Sequence, residues 1–259
     1  MDAEQLRVLA RQIAAGTLGV EEFVTAAMQW RTADLGDACV DLDRRRRCGF
    51  PEVVFGEGKT VDQIRRIITV LLSDGGEAFA TRVSAEKAAA LCEAFPNAHY
   101  NLTARTFRVP ASSPSSAAPK KSRGRVVIVT AGTSDLPVAE EARETALWMG
   151  VETELIQDIG VAGPQRLLAK LPQLRNADAV VVVAGMEAAL TGVVGGHVDC
   201  PVVGVPTSVG YGTSLGGFTA LFGMLSCCAA NVTVVNIDAG FKGGYIAALI
   251  AGKVPSGGV

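Results

Sequence analysis

One stretch of this chain restricts the possible folds more than any other. From Cys200 to Ile237 run 38 consecutive residues without an Asp, Glu, Lys or Arg. Such a run invites a membrane reading, but Pro201, Pro206 and the glycines between 204 and 217 interrupt it. No unbroken apolar segment reaches the roughly 18 residues that a span requires. The stretch divides instead into a strand (202–205), a glycine-rich turn (206–212), a helix (213–229) and a second strand (232–235). Two apolar strands joined by an apolar helix form a βαβ unit covered on both faces. The predicted helix carries Gly216, Gly217, Ala220, Gly223, Ser226 and Cys227. Side chains this small allow close backbone approach, so the helix is expected to pack against its twin in a second copy of the chain. A tightly packed core within one chain is the plainer alternative.

The remaining composition agrees with a buried parallel sheet. Hydrophobic residues make up 49% of the 259 positions but aromatics only 5%, so Ala, Val, Gly and Leu must build the core. A net charge of −2 offers no general attraction for nucleic acid or an anionic membrane. The acidic, amphipathic start MDAEQLRVLA does not read as a signal peptide. Six cysteines without paired spacing and only two histidines, His99 and His197, argue against a zinc site. Reduced, buried cysteines in a cytoplasmic protein are expected, for at least four of the six.

Taken in order, 2–15 and 20–30 read as short helices. Arg44 to Arg47 then form a basic run among Asp34, Asp37, Asp41 and Asp43. Such a run is either a solvated face or, since guanidinium forks grip phosphate and carboxylate, an anion clamp built from Arg45, Arg46 and the later Lys59. The glycines at 49, 56 and 58 suit a loop that approaches a ligand, although no Walker sequence is present. The spacing of Val61, Ile64, Ile67, Ile68 and Leu71 predicts a helix over 60–73. A strand (78–83), a helix (85–95) and a strand (100–109) complete a small α/β domain, 1–109. The composition of PASSPSSAAPKKSR marks 110–123 as a linker.

From 124 to 259 the rhythm is βαβ: strands at 125–130, 151–157 and 177–185, helices at 135–149, 164–171 and 187–194, then the uncharged unit and a last helix at 243–251. About five parallel strands between helices make a doubly wound sheet, whose ligands bind at the carboxyl ends of the strands. Those ends carry Thr133, Ser134 and Asp135; Asp158 and Gly160, with Arg166 just beyond; Gly185, Met186 and Glu187; Ser208 and Gly210; and Asp238. Thr133, Ser134 and Asp135 precede a helix and read either as an anion pocket or as its cap. Glu187 reads as a cap or as a general base.

These residues carry a family resemblance. AGTSDLP (131–137), AGMEAALTG (184–192) and VGVPTS (203–208) resemble the PurE family of carboxyaminoimidazole ribonucleotide mutases. In that pattern an Ala stands at Glu187 and a catalytic His at Ala189, so the mutase proton shuttle is missing. Nearly the whole chain resembles the LarB family, carboxylase/hydrolases of nickel-pincer cofactor synthesis. The stretches are DLDRRRRCGFPEVVFGEGKT (41–60), ATR (80–82), TAGTSDLPVAEEA (130–142), DIGVAG (158–163), VPTSVGYGTSLGG (205–217), LSCCA (225–229) and VVNIDAGFKGG (234–244). Gln165, where the family more often has His, and His197, usually apolar, are departures.

The resemblance implies a PurE-like three-layer α/β/α domain beside a smaller N-terminal α/β domain, assembled as a homo-oligomer, an octamer by likeness to PurE. It implies carboxylation of the pyridinium ring of nicotinic acid adenine dinucleotide by carbon dioxide or bicarbonate, with phosphoanhydride cleavage. Cys228 aligns with the nucleophile, Glu187 with the acid that takes the ring proton, and Cys227 with a position where Ser is usual. Mg²⁺ would suit the phosphoanhydride step, with Asp135 or Asp238 as ligands. A ribonucleotide mutase and a non-catalytic nucleotide-binding oligomer, in which Cys228 would be buried and inert, are the alternatives. One physical difficulty accompanies this. A helix from Thr213 to Cys228 would be about 24 Å long and would carry the thiol to the far edge of its sheet, where the helix dipole disfavours a thiolate. A shorter helix, or a neighbouring copy, would remove it.

Overall fold

The structure, a computed structural model, describes residues 3–28, 32–111 and 124–253. Most of the expected linker, 110–123, lies outside them. The chain begins with two helices, α1 (Ala3–Ala14) and α2 (Val20–Met28), and a small antiparallel ribbon, β1 (Thr32–Asp34) with β2 (Cys39–Asp41). The arginine run is a single helical turn, α3 (Arg44–Cys48), closed by Gly49 at φ 83°.

A four-stranded sheet follows in the order β3 (Val53–Phe55), β4 (Ala78–Thr81), β6 (Thr106–Val109), β5 (His99–Asn101). Helix α4 (Val61–Ser73) begins at a reciprocal cap between Thr60 and Gln63, which satisfies two amides that the first turn leaves free. It buries Ile64, Ile67, Ile68 and Leu71, the predicted face. Helix α5 (Ala85–Ala94) is capped by Ser84. The expected single strand over 100–109 is instead the hairpin β5–β6. Asn101 Oδ1 accepts the Ala104 N–H at 3.0 Å and Arg105 adopts φ 55°, so the chain reverses between them.

The second sheet is fully parallel: β7 (Arg125–Thr130), β8 (Glu152–Ile156), β9 (Ala179–Ala184), β10 (Val202–Pro206) and β11 (Val232–Val234), in the order β11-β10-β9-β7-β8. The central strands are buried along their whole length, which explains their continuous apolar runs. Helices α6 (Leu136–Trp148) and α10 (Gly240–Ala251) cover one face through Val126, Ile128, Val181 and Val205. Helices α7 (Pro164–Leu174) and α8 (Leu190–Gly195) cover the other through Val127, Val129, Val180 and Val182. This is the doubly wound three-layer architecture, with a smaller α/β layer before it.

The uncharged stretch departs from expectation in one consequential way. Its helix does not run over 213–229. A 3₁₀ turn (Gly212–Gly217) precedes a helix of only eight residues, α9 (Phe218–Leu225). Leu215, Gly216 and Gly217 have φ of 48°, 64° and 98°, so the backbone cannot continue one right-handed helix through them. Helix α8 likewise starts three residues later than predicted, because Met186 and Ala188 are left-handed. Among the described residues no helix is long and apolar enough to cross a membrane.

The two sheets' layers meet over α6 and α10. Phe79 of β4 stacks on Trp148 at 5.0 Å between ring centroids, and Phe50 lies edge-on to Tyr245. Arg82, just after β4, pairs with the buried Glu141 of α6 at 3.0 Å.

Candidate active site

In the order β11-β10-β9-β7-β8 the chain direction of travel reverses between β7 and β9, and the loops leaving those two strands diverge. A crevice opens there at the carboxyl edge. It is a cleft of about 390 Å³ lined by four segments: the loop and turn after β7, the loop from Asp158 into α7, the loop after β9, and Val209 of the loop after β10.

Hydrogen bonds between neighbouring strand ends hold these loops. The Ala131 N–H reaches Val183 O at 3.0 Å, and Gly160 N–H reaches Ala131 O at 2.9 Å. From β10, the Thr207 N–H reaches Ala184 O at 3.0 Å, and Val209 O accepts the Met186 N–H at 2.9 Å. Gly185 sits where the β9 and β10 loops cross. A Cβ on it would lie 2.3 Å from Val209 O, so no larger residue fits.

Asp135 is the anchor of the first loop. It is 3% exposed, and it does not cap α6. Its Oδ2 accepts the Gly132 N–H at 2.9 Å and its Oδ1 accepts the Thr207 hydroxyl at 2.7 Å. Burial raises its pKa, the donors from Thr207, Gly132 and Gly185 pull it back, and the neighbouring Asp238 carboxylate raises it again. Thr133 and Ser134 are exposed to the cleft. Glu187 is exposed at the end of β9, between two left-handed non-glycine residues, Met186 (φ 54°) and Ala188 (φ 56°). Each such residue carries strain of order 1 kcal/mol or more. Here the strain turns the carboxylate out of the strand end and into the cleft. Arg166 also lines the cleft, in an exposed pair with Asp158 at 2.7 Å. Such a pair is weak, so the guanidinium can exchange Asp158 for an anion.

The cleft thus gathers Thr133, Ser134, Asp135, Arg166, Gly185, Met186 and Glu187. Ser208 and Gly210 flank its Val209 wall, but Ser208 N–H is given to Asp238 Oδ1 at 2.8 Å. Asp238 therefore lies behind that wall. Arg45, Arg46 and Lys59 do not line the cleft; Arg46 is paired with Asp43 at 2.8 Å and Arg47 with Asp41. Cys228 does not line it either; against the expectation of mostly buried cysteines, Cys39, Cys48, Cys92 and Cys228 are all exposed, because they lie at the surface ends of short elements and loops, and only Cys200 is buried. Cys227, the neighbour of Cys228, is half-buried, and a Cβ on Gly192 of α8 would lie 3.0 Å from its sulfur. Closer to the cleft, a Cβ on Gly223 of α9 would lie 2.5 Å from Glu187 O. The short α9 thus lies directly against the acid's own backbone, and Cys228 follows three residues after its end rather than completing a long helix.

Sequence reasoning passed over Thr207, Arg82 and Glu141. Thr207 lay inside the quoted VGVPTS, and Arg82 closes the quoted ATR, but the partners of each are remote in sequence. Among the described residues no group of three or more His, Cys, Asp or Glu could hold a metal ion. Asp135 accepts hydrogen bonds from Gly132 and Thr207, and Asp238 one from Ser208, so both carboxylates already serve loop contacts.

Comparison with known proteins agrees with this geometry. Residues 125–256 match the AIR carboxylase family model. A curated N5-carboxyaminoimidazole ribonucleotide mutase of Thermotoga maritima is 30% identical over 131 residues, 49% of this chain and 75% of that protein. A crystal structure of Treponema denticola PurE aligns with a TM-score of 0.39 at 22% identity, covering 49% of this chain and 77% of that one. The family-model match makes 125–256 a PurE-like, AIR-carboxylase-type domain. Residues 32–111 match the LarB/PurE-like N-terminal domain. An uncharacterized protein of Methanocaldococcus jannaschii is 41% identical over 219 residues, 82% of this chain and 83% of its own length. With both domains matched, the chain belongs to the LarB/PurE-like family of carboxylase/mutase-type enzymes.

Proposed function

We propose that this chain carboxylates the pyridinium ring of nicotinic acid adenine dinucleotide and then cleaves its phosphoanhydride. The Cys228 thiolate adds to the ring carbon beside the nitrogen, and the ring's positive charge is quenched. The resulting enamine carbon attacks carbon dioxide and forms the new carbon–carbon bond. Glu187 takes the proton from that carbon, the thiolate leaves, and aromaticity returns. Water then divides the diphosphate, giving pyridinium-3,5-biscarboxylic acid mononucleotide and AMP. No electrons are gained or lost overall.

The observation that carries this reading is Glu187, exposed in the switch-point cleft, with Ala189 where a mutase would need its histidine. Two further features support it. Cys228 is exposed, whereas Cys200 is buried with its thiol pKa raised by burial. The scaffold alternative needs a buried Cys228. On α9, which ends three residues before that cysteine, Phe218, Phe222 and Leu225 are 50%, 59% and 61% exposed. An apolar patch of this kind suits contact with a second copy, and a homo-oligomer would bring one chain's Cys228 to another's cleft. Magnesium enters only as an ion carried by the diphosphate, consistent with its habit of binding through phosphate and few carboxylates.

The test is incubation with nicotinic acid adenine dinucleotide, bicarbonate and Mg²⁺, followed by mass analysis. The expected products are AMP and a mononucleotide heavier by one carboxylate. Turnover of carboxyaminoimidazole ribonucleotide, with none of the dinucleotide, would replace this reading by the mutase one.

A further inference from the structure

Arg82 belongs to the N-terminal domain, yet its guanidinium is spent entirely on the C-terminal one. It follows β4 directly, in the left-handed conformation at φ 55°. Its neighbours enforce that conformation. Gly56 N–H bonds Thr81 O at 2.8 Å, Val83 N–H bonds Arg105 O at 2.8 Å, and a Cβ on Gly56 would lie 2.9 Å from Thr81 O. The strained residue therefore aims its side chain in one direction. Nε donates to Glu141 Oε1 at 3.0 Å, and Nη2 donates both to Glu141 Oε2 at 3.4 Å and to the Asp238 carbonyl.

From Asp238 an unbroken series of bonds leads to the cleft. Asp238 is itself left-handed, at φ 55°. It grips the 206–208 turn from two sides: its N–H donates to Pro206 O at 2.8 Å, and its Oδ1 accepts the Ser208 N–H at 2.8 Å. That turn holds the loop after β7 through Thr207 and Asp135, and Asp135 in turn holds Gly132. Through Val209 O it also holds Met186, the residue before Glu187. Glu141 completes the arrangement from the other side. It is 3% exposed and its second oxygen accepts the Phe241 N–H at 3.2 Å, which fixes the start of α10 beside Asp238.

We infer that Arg82 is a positioning residue through which the N-terminal domain sets the two loops that carry Asp135 and Glu187. It touches no substrate. It fixes the Asp238 backbone, and Asp238 fixes the turn on which both loops hang. This gives the small domain a role in the chemistry of a cleft to which it contributes no lining residue among those described.

Removing Arg82 alone would strand the buried Glu141 carboxylate and unfold the site for an unrelated reason. The test therefore uses the full-length double variant Arg82→Met with Glu141→Gln. The glutamine keeps an acceptor for Phe241, no buried charge is left unpaired, and the Arg82 bonds to Glu141 and to Asp238 are lost together. Arg82→Lys is the second variant, keeping the charge beside Glu141 without the planar fork that also reaches Asp238. Hydrogen exchange is followed at Ser208, Gly132 and Met186, with β9 amides as the internal reference. In both variants exchange at the three loop amides is expected to rise about tenfold or more while β9 stays as in the wild type. Turnover should fall by about tenfold or more, with KM changed far less, as misplaced catalytic loops predict. Loop exchange equal to the wild type in the folded double variant would overturn the inference. So would an equal rise in loops and β9, the signature of general destabilisation. The kinetic arm rests on the reaction proposed above, whereas the exchange arm is measured without substrate and stands apart from it.

Discussion

Asp135 offers the cleanest test of how the cleft is held together. Its two oxygens accept the half-buried Gly132 N–H and the hydroxyl of Thr207, which is 0% exposed. Asp135→Ala removes both acceptors. A buried donor left without a partner costs about 1–3 kcal/mol, so the loss at Thr207 should be about that, with a smaller addition from the half-buried Gly132 N–H. Asp135→Asn keeps the shape. The amide oxygen can accept from Gly132, and the amide nitrogen can donate to Thr207, whose hydroxyl rotates to accept. Its loss should stay within about 1 kcal/mol. Both variants also remove the pH dependence that the Asp135 carboxyl gives the wild type. Burial raises the Asp135 pKa above its ordinary 3.8. A group raised on folding contributes stability that is full below 3.8 and lost as pH rises through the folded-state value. Asparagine has no such loss, so Asp135→Asn should gain on the wild type as pH rises through that window. Urea unfolding midpoints across a pH series measure both effects. Equal destabilisation by Asn and Ala at every pH would refute the argument, since it would mean that the charge, not the pair of acceptors, holds the loops.

Three other predictions follow from the site. Cys228→Ala should abolish carboxylation in a folded protein, and Cys227→Ala should retain most of it; mass analysis of trapped adducts should find the dinucleotide on Cys228 and, in Glu187→Gln, find that adduct accumulating. Charge reversal at Arg45 with Lys59 should weaken dinucleotide binding by titration calorimetry while leaving the melting temperature unchanged, and an unchanged affinity would make the basic run a solvated face. Light scattering should show an oligomer that Phe222→Asp dissociates, and mixed assemblies of Cys228→Ala with Glu187→Gln subunits should recover activity only if one chain's cysteine serves another's cleft.

Much of this architecture could be read from residue order, because its signals are local. Apolar runs at 125–130 and 179–184 gave the central strands, and loops at strand ends gave the cleft residues from Thr133 to Glu187, since parallel sheets open their crevices there. The hairpin at 99–109 was hidden because its reversal depends on one Asx hydrogen bond and one left-handed arginine rather than on a Gly or Pro. Arg82 and Glu141 were hidden for a different reason. They lie 59 residues apart in different domains, and no periodicity links them.

The uncharged stretch shows how a correct composition can yield a wrong length. Its small residues were read as a helix face, and a helix through Thr213 would put Cys228 at the sheet's far edge. Gly216 and Gly217 serve instead as a left-handed break, so that the helix begins at Phe218 and Gly223, midway along it, meets the Glu187 carbonyl. The dipole objection weakens with the same change. Eight helical residues end at Leu225, and the dipole's influence fades within the last turn, so the thiol three residues beyond is no longer held at a strongly negative helix end. On the same short helix Phe218, Phe222 and Leu225 stay exposed, an apolar surface on which the proposed homo-oligomer would form.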